Sequence, residues 1–425
     1  MHGTKISVSY PLASAQLFAL IALWCVPVST ALTNITLGLF AIAALLAPEV
    51  WRNWRNALRH PVSIATLALL SVLAISVLYS SAPLEESLQW LAKYRKLLFI
   101  PLLIAVFQGR PLANVARLGL CISLSFVLLL SISNYLGLTA LGPLYNAGDP
   151  LTHAWVFKNH ITAGLFSALL FSLALDIAET ASSARAKGLY YLLSLLALVN
   201  VLVMLQGRTG QVIIVMLAIY HIVRKLRQIN FRHDRRLAVA QAVFLVLLLG
   251  TTSTSLYFKS TRLADTGSEI SSYQQHNQSN ATGLRLEWYR KSMELITQRP
   301  VFGYGAMGVH EAFKQLTHGY TGARGAITAN PHNQYLLFAV ELGLVGLGLF
   351  IHLLVQIARA AIRLPPDSRQ LLCTWLFIFT LGCLVNSLLL DISEGNLFVL
   401  LSGILIGCAN QPSTHKVISD ETRYP

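Results

Sequence analysis

Asn330-Pro331-His332-Asn333 sets an imidazole between two amides, directly before a long apolar run. Proline suits the first turn of a helix. His332 is therefore expected at the positive end of a helix dipole, which would keep the ring neutral and able to accept a proton. Asn330 and Asn333 are expected to cap that helix and fix the ring. An incidental histidine at a capped helix start is the plainer alternative. Against it stands the company of Arg285 and Arg208 in the same polar layer.

Arg285 belongs to a helical pattern over 284–298, stopped by Pro300. It falls in the middle of the apolar arc formed by Leu284, Trp288, Tyr289, Met293, Leu295 and Ile296, with no acid three or four residues away. An unpaired buried guanidinium costs several kcal/mol, so an anionic ligand or a distant carboxylate must meet it. The opposite arc (Glu287, Arg290, Lys291, Glu294) reads as a solvated face with paired charges. Arg208 sits in Gln206-Gly207-Arg208-Thr209-Gly210, where flanking glycines let the backbone approach a ligand. Snorkelling at a membrane surface explains it equally well. Lys158, His160, Arg95 and Lys96 are further cations or bases at helix starts, read as possible supporting groups or phospholipid anchors.

A neutral base among basic groups, facing water beside a lipid phase, suggests chemistry on an anionic lipid-linked substrate. No metal site and no cofactor are expected. Asp-x-Asp does not occur, and the acids near His332 are scattered: Asp265, Glu269, Glu287, Glu294 and Glu311. Asp391 and Glu394 are the main rivals, as base or as metal ligands. Gly303-Tyr304-Gly305-Ala306-Met307-Gly308 matches GxGxxG but follows a helix, without the strand that a dinucleotide site requires. A glycine turn joining two surface helices is the expected role.

These groups must be positioned by a membrane bundle. The 425 residues are 55% hydrophobic and only 12% charged, against roughly 25% charged in soluble domains. Net charge is +14, but Lys and Arg collect in cytoplasmic loops for topological reasons, so nucleic acid is not implied. Twelve apolar runs read as spans: 12–30, 32–48, 61–79, 95–108, 116–138, 161–178, 189–206, 210–224, 237–257, 334–355, 371–390 and 396–410. The first is expected to be a membrane helix and not a cleaved signal peptide. The expectation is an all-α polytopic protein with both termini cytoplasmic. Residues 1–257 would hold nine spans, 258–333 one long external loop with short helices, and 334–425 three spans and a tail. Within the loop, 265–283 is polar and reads as a mobile segment. Cys25, Cys121, Cys373, Cys383 and Cys408 match no metal spacing and read as small apolar groups.

The ordered set comprises a Gly-Arg-Thr-Gly turn, Leu284-Arg285-Leu286-Glu287, Arg299-Pro300-Val301-Phe302-Gly303-Tyr304-Gly305, and Asn330-Pro331-His332-Asn333 before Glu341 and Gly343. It resembles the O-antigen ligase/polymerase family of bacterial inner membranes, over about residues 155–345. The resemblance implies an inverting, metal-independent glycosyltransferase of the inner membrane with a periplasmic site. Its donor would be a polysaccharide on undecaprenyl diphosphate and its acceptor a lipid A–core sugar hydroxyl. His332 would be the general base, with Arg208 and Arg285 on the diphosphate. The family's polymerases and protein O-oligosaccharyltransferases stay open as alternatives. So do a polytopic transporter or flippase, for which Asp176 is the clearest intramembrane charge, and a peptidoglycan polymerase using an acidic residue.

Overall fold

The computed structural model describes residues 9–205, 207–228 and 260–410, and every regular element among them is helical. The expected span 237–257 and the terminal tail lie outside the described residues. The first half comprises α1 (Tyr10–Cys25), α2 (Thr30–Leu46), α3 (Pro48–Arg59), α4 (Pro61–Ser76), α5 (Leu84–Lys93), α6 (Phe99–Val106), α7 (Ala113–Tyr135), α8 (His160–Thr180), α9 (Ala184–Val199) and α10 (Arg208–Gln228). The second comprises α11 (Ser260–His276), α12 (Ala281–Gln298), α13 (Gly308–Leu316), α14 (Gln334–Ile362), α15 (Pro366–Gly382) and α16 (Ile392–Ala409).

Among the described residues, six helices are long and apolar enough to cross a membrane, or seven if the bent pair α2–α3 counts as one span. Several of the twelve expected spans are thus not continuous helices of that kind. Residues 12–30 give the 16-residue α1. Pro48 ends α2 and starts α3, at a bend of 98°. The run 95–108 is split into a 3₁₀ turn, Arg95–Leu98, and the eight-residue α6. Pro101 has no N–H to bond back to Leu97, so one α-helix cannot run through both. In 371–390, α15 stops at Gly382 and the chain turns back through Cys383–Leu390.

The enclosed centre is formed by α8 and α16, whose apolar windows are mostly buried. Around them α9, α10 and α15 pack on α8, α6 packs on α16, and α4 packs on α14. Gly164 of α8 and Gly210 of α10 meet so closely that a Cβ on Gly210 would lie 2.9 Å from the Gly164 Cα. Small residues at such a crossing let two apolar helices touch along their backbones. Toward the far end of α8, Asp176 and Glu179 pair with Arg224 at 3.0 and 2.9 Å. The clearest intramembrane charge is therefore neutralised within a helix pair.

The Gly303-Tyr304-Gly305 stretch does more than join surface helices. Helix α14 is broken at Gly343 (φ 65°), and this stretch is docked into the break. Tyr304 N–H donates to Val340 O and Gly305 N–H to Glu341 O, while Leu344 N–H donates to Pro300 O. The groups freed by the break are thereby satisfied, as a buried backbone requires. A Cβ at Gly343 would meet Val301 O at 2.2 Å, so only glycine fits.

The expected mobile segment 265–283 is largely helical: it lies in α11 and the start of α12. Asn280 caps α12 and donates to Glu269 O, which fastens the corner between them.

Candidate active-site cleft

One end of the bundle carries an open cleft of roughly 680 Å³ that four helix starts frame. Ser29 caps α2, Asn159 caps α8, and Asp391 precedes α16. His332 stands one residue before Asn333, the cap of α14. Asn333, Asn159 and Ser29 take up N–H groups at three of these starts, whereas the start of α16 has no side-chain cap. Each start presents the positive end of a dipole, so their convergence favours an anion. Arg285 and Lys158 add cations to the same walls, and Asp391 and Glu394 add carboxylates. The Glu394 side chain is buried, and its Oε1 has no hydrogen-bond partner.

The expected helix start needs correction. Helix α14 begins at Gln334, not at Pro331, and Asn333 alone caps it through the N–H groups of Tyr335 and Leu336. His332 lies just outside, in the left-handed region at φ 56°. Asn330 Oδ1 accepts from His332 N–H at 2.9 Å and from Ser387 Oγ–H at 2.7 Å, so Asn330 fixes the backbone of the histidine. The strained φ is held by contacts on every side, as such conformations require.

The ring is oriented by a chain of side chains. Asn386 Nδ2 donates to Asp391 Oδ2 at 3.1 Å, which turns its Oδ1 toward His332 Nδ1 at 3.2 Å. With a carbonyl oxygen facing it, Nδ1 carries the proton and Nε2 keeps the lone pair. Lys96 closes the chain by donating to Asp391 O at 2.6 Å and Leu390 O at 3.3 Å. Burial lowers the His332 imidazole below its ordinary value; the Asn386 hydrogen bond opposes this and the Arg285 charge adds to it. The neutral form was expected from a helix dipole, but burial is the larger cause. Burial also raises the Asp391 carboxyl to about 6, against the pull of Lys96.

Helix α12 packs one face against this histidine. Arg285, Trp288 and Tyr289 lie three and four residues apart and so share a side. Trp288 stacks on the His332 ring with centroids 5.5 Å apart. Tyr289 Oη donates to His332 O at 3.1 Å and to Leu384 O at 3.0 Å. Arg285 lines the cleft, with no carboxylate at ion-pair distance among the described residues.

The opposite arc is not simply solvated. Glu287 and Lys291 are almost fully buried and pair at 3.6 Å. Lys291 also donates to Arg324 O and lies over the Tyr320 ring, while Tyr273 Oη donates to Glu287. Helical periodicity placed these charges on one face. It could not foresee that residues 320–325 and α11 cover that face.

The remaining sequence candidates divide. Lys158 lines the cleft, and burial lowers its ammonium against the opposing charge of Glu394. His160 opens α8 and tilts on Trp155 at 5.0 Å, behind the cleft-lining Asn159. Arg208 opens α10 and is exposed; it is not among the cleft's lining residues. Its neighbour Gly207 abuts the His160 backbone, where a Cβ would lie 2.8 Å from the carbonyl oxygen. Arg95 and Lys96 line an adjoining cleft. Among the described residues, no three His, Cys, Asp or Glu side chains are grouped to hold a metal ion.

Residues 193–351 match the family described as O-antigen ligase. The matched stretch holds Arg208, Arg285 and His332, whereas Lys158, Asn386 and Asp391 lie outside it. No curated protein matches the chain. Within the cleft, sequence reasoning missed Asn386. The available signal was Asn386-Ser387 and Asp391-x-x-Glu394, a polar cluster set within apolar sequence.

Proposed function

We propose that the protein transfers a polysaccharide from undecaprenyl diphosphate to a lipid A–core sugar hydroxyl, at the periplasmic face of the inner membrane. The observation that carries this reading is the chain His332–Asn386–Asp391, set in a cleft framed by four helix starts. His332 Nε2 takes the proton of the acceptor hydroxyl as its oxygen attacks the anomeric carbon. The bond from that carbon to the diphosphate oxygen breaks, and undecaprenyl diphosphate leaves with the electron pair. Attack opposite the leaving group inverts the configuration. A positioned base contributes typically about 10²–10⁴-fold.

The diphosphate is assigned to Arg285, Lys158 and the N–H groups at the start of α16, which no side chain caps. Guanidinium suits that role because it stays charged and pairs bidentately with phosphate. Arg208 is assigned to the entrance beside α8, where the donor headgroup would pass. Orientation rests on the basic residues of α3 (Arg52, Arg55, Arg59) and of the corner between α14 and α15 (Arg359, Arg363, Arg369), which would face the cytoplasm with both termini.

Acceptor choice separates ligase from polymerase. Purified protein in vesicles is given the lipid-linked glycan alone, then with lipid A–core. Glycan appearing on lipid A–core supports ligation; lengthening of the lipid-linked glycan with no transfer to lipid A–core contradicts it.

A further inference from the structure

A second cleft, of roughly 450 Å³, adjoins the first and shares Asp391 and Ile392 with it as a common wall. Its other lining includes Asn34 of α2, Lys93 of α5, and Arg95 and Lys96 of the 3₁₀ turn that follows. The three cations differ in what they do. Lys96 is buried and committed to the carbonyls of Leu390 and Asp391. Lys93 and Arg95 are exposed, and among the described residues neither has a carboxylate at ion-pair distance. Lys93 Nζ lies 4.1 Å from the Trp90 ring centroid, which holds the ammonium in place. The cleft's one acid, Asp391, turns its Oδ2 to Asn386 on the first-cleft side. The elements that wall the cleft also carry exposed apolar side chains. Leu32 and Ile35 lie on α2, Leu88 on α5, and Leu98 on the 3₁₀ turn.

Unpaired cations beside exposed apolar side chains fit an amphiphile with an anionic headgroup. A transfer between two membrane-borne molecules needs two headgroup sites whose sugars can meet. Two cationic clefts on either side of Asp391–Ile392 provide that geometry. We propose that the second cleft holds the acceptor, a glycolipid whose phosphate or acidic-sugar groups pair with Lys93 and Arg95. This rests on the transfer reading above, and it gives Arg95, read from the sequence as a possible supporting group or phospholipid anchor, a role on the acceptor's side.

The test measures binding to the full-length protein in zwitterionic nanodiscs. The probes are undecaprenyl diphosphate, a phosphorylated lipid A–core preparation, and phosphatidylglycerol. Lys93→Ala/Arg95→Ala is expected to weaken the glycolipid by about tenfold or more, with undecaprenyl diphosphate changed by less than about twofold. Arg285→Ala is expected to reverse that ranking, and Lys93→Arg/Arg95→Lys to retain glycolipid binding. Equal loss of both ligands in the alanine pair, or loss of neither, overturns the assignment. Phosphatidylglycerol that displaces the glycolipid one for one, and is lost in the alanine pair, overturns it too, because the cleft then serves bulk lipid. Wild-type protein that binds glycolipid through Lys93 and Arg95 but not undecaprenyl diphosphate contradicts the transfer reading and leaves the second cleft standing.

Discussion

Replacing Asn386 with alanine removes the group that tells His332 which nitrogen to protonate. In the intact chain, Asp391 holds Asn386 so that its carbonyl oxygen lies 3.2 Å from His332 Nδ1. Without it, the ring is still stacked on Trp288 and its backbone is still held by Asn330 and Tyr289. The base therefore stays near its place but loses its tautomer preference and its rotational restraint. The ceiling on the damage is the whole worth of a positioned base, about 10²–10⁴-fold. A ring retained in its stack keeps part of that, so Asn386→Ala is expected to lower kcat by about 10–100-fold. That corresponds to about 1.4–2.7 kcal/mol of transition-state stabilisation. The assay is single-turnover transfer from lipid-linked glycan in vesicles, with donor affinity measured in parallel. Asn386→Asp, which can still accept from Nδ1–H, is expected to keep more activity than Asn386→Ala. A kcat for Asn386→Ala within about twofold of wild type, in folded protein, would refute the orienting role.

The pH dependence has a defined sign. His332 must be neutral to act, and its folded value lies below the ordinary 6.5, so activity should be full near neutrality and fall as pH drops below 6.5. Arg285→Met removes a charge that lowers this value and is expected to move the acid limb of the single-turnover rate to higher pH; an unmoved limb contradicts that coupling. Glu287→Met leaves the buried Lys291 without its carboxylate, with only Arg324 O and the Tyr320 ring facing it, at an expected cost of about 1–3 kcal/mol. Glu287→Met/Lys291→Met should recover much of it, and thermal unfolding of the two variants compares them. Gly343→Ala puts a Cβ against Val301 O at a residue with φ 65°. It is expected to dislodge residues 300–305 and reduce the yield of folded protein, read by size exclusion.

Parts of the candidate cleft and of the helical bundle were both legible in the sequence. His332 and Arg285 were marked by residue type and helical spacing, and both line one cleft because α12 packs against the loop before α14. Asn386 was legible only as part of a polar cluster in apolar sequence, since it meets His332 across 54 residues of chain and no spacing announces that contact. Arg208 and Arg95 were read from local context alone. Whether two helix starts share a wall depends on tertiary packing, and these two residues lie outside the cleft that His332 lines. The twelve-span count is not confirmed among the described residues for a related reason. Hydropathy registers apolar length, while Pro48 and Pro101 break the helix within it. The burial of Glu287 and Lys291 was hidden because the surfaces that cover them come from elsewhere in the chain.

The most direct measurement of the central claim is the single-turnover transfer rate of His332→Ala beside its affinity for lipid-linked donor. The account predicts a rate about 10²–10⁴-fold below wild type with donor binding retained. Transfer at the wild-type rate without the imidazole would contradict it.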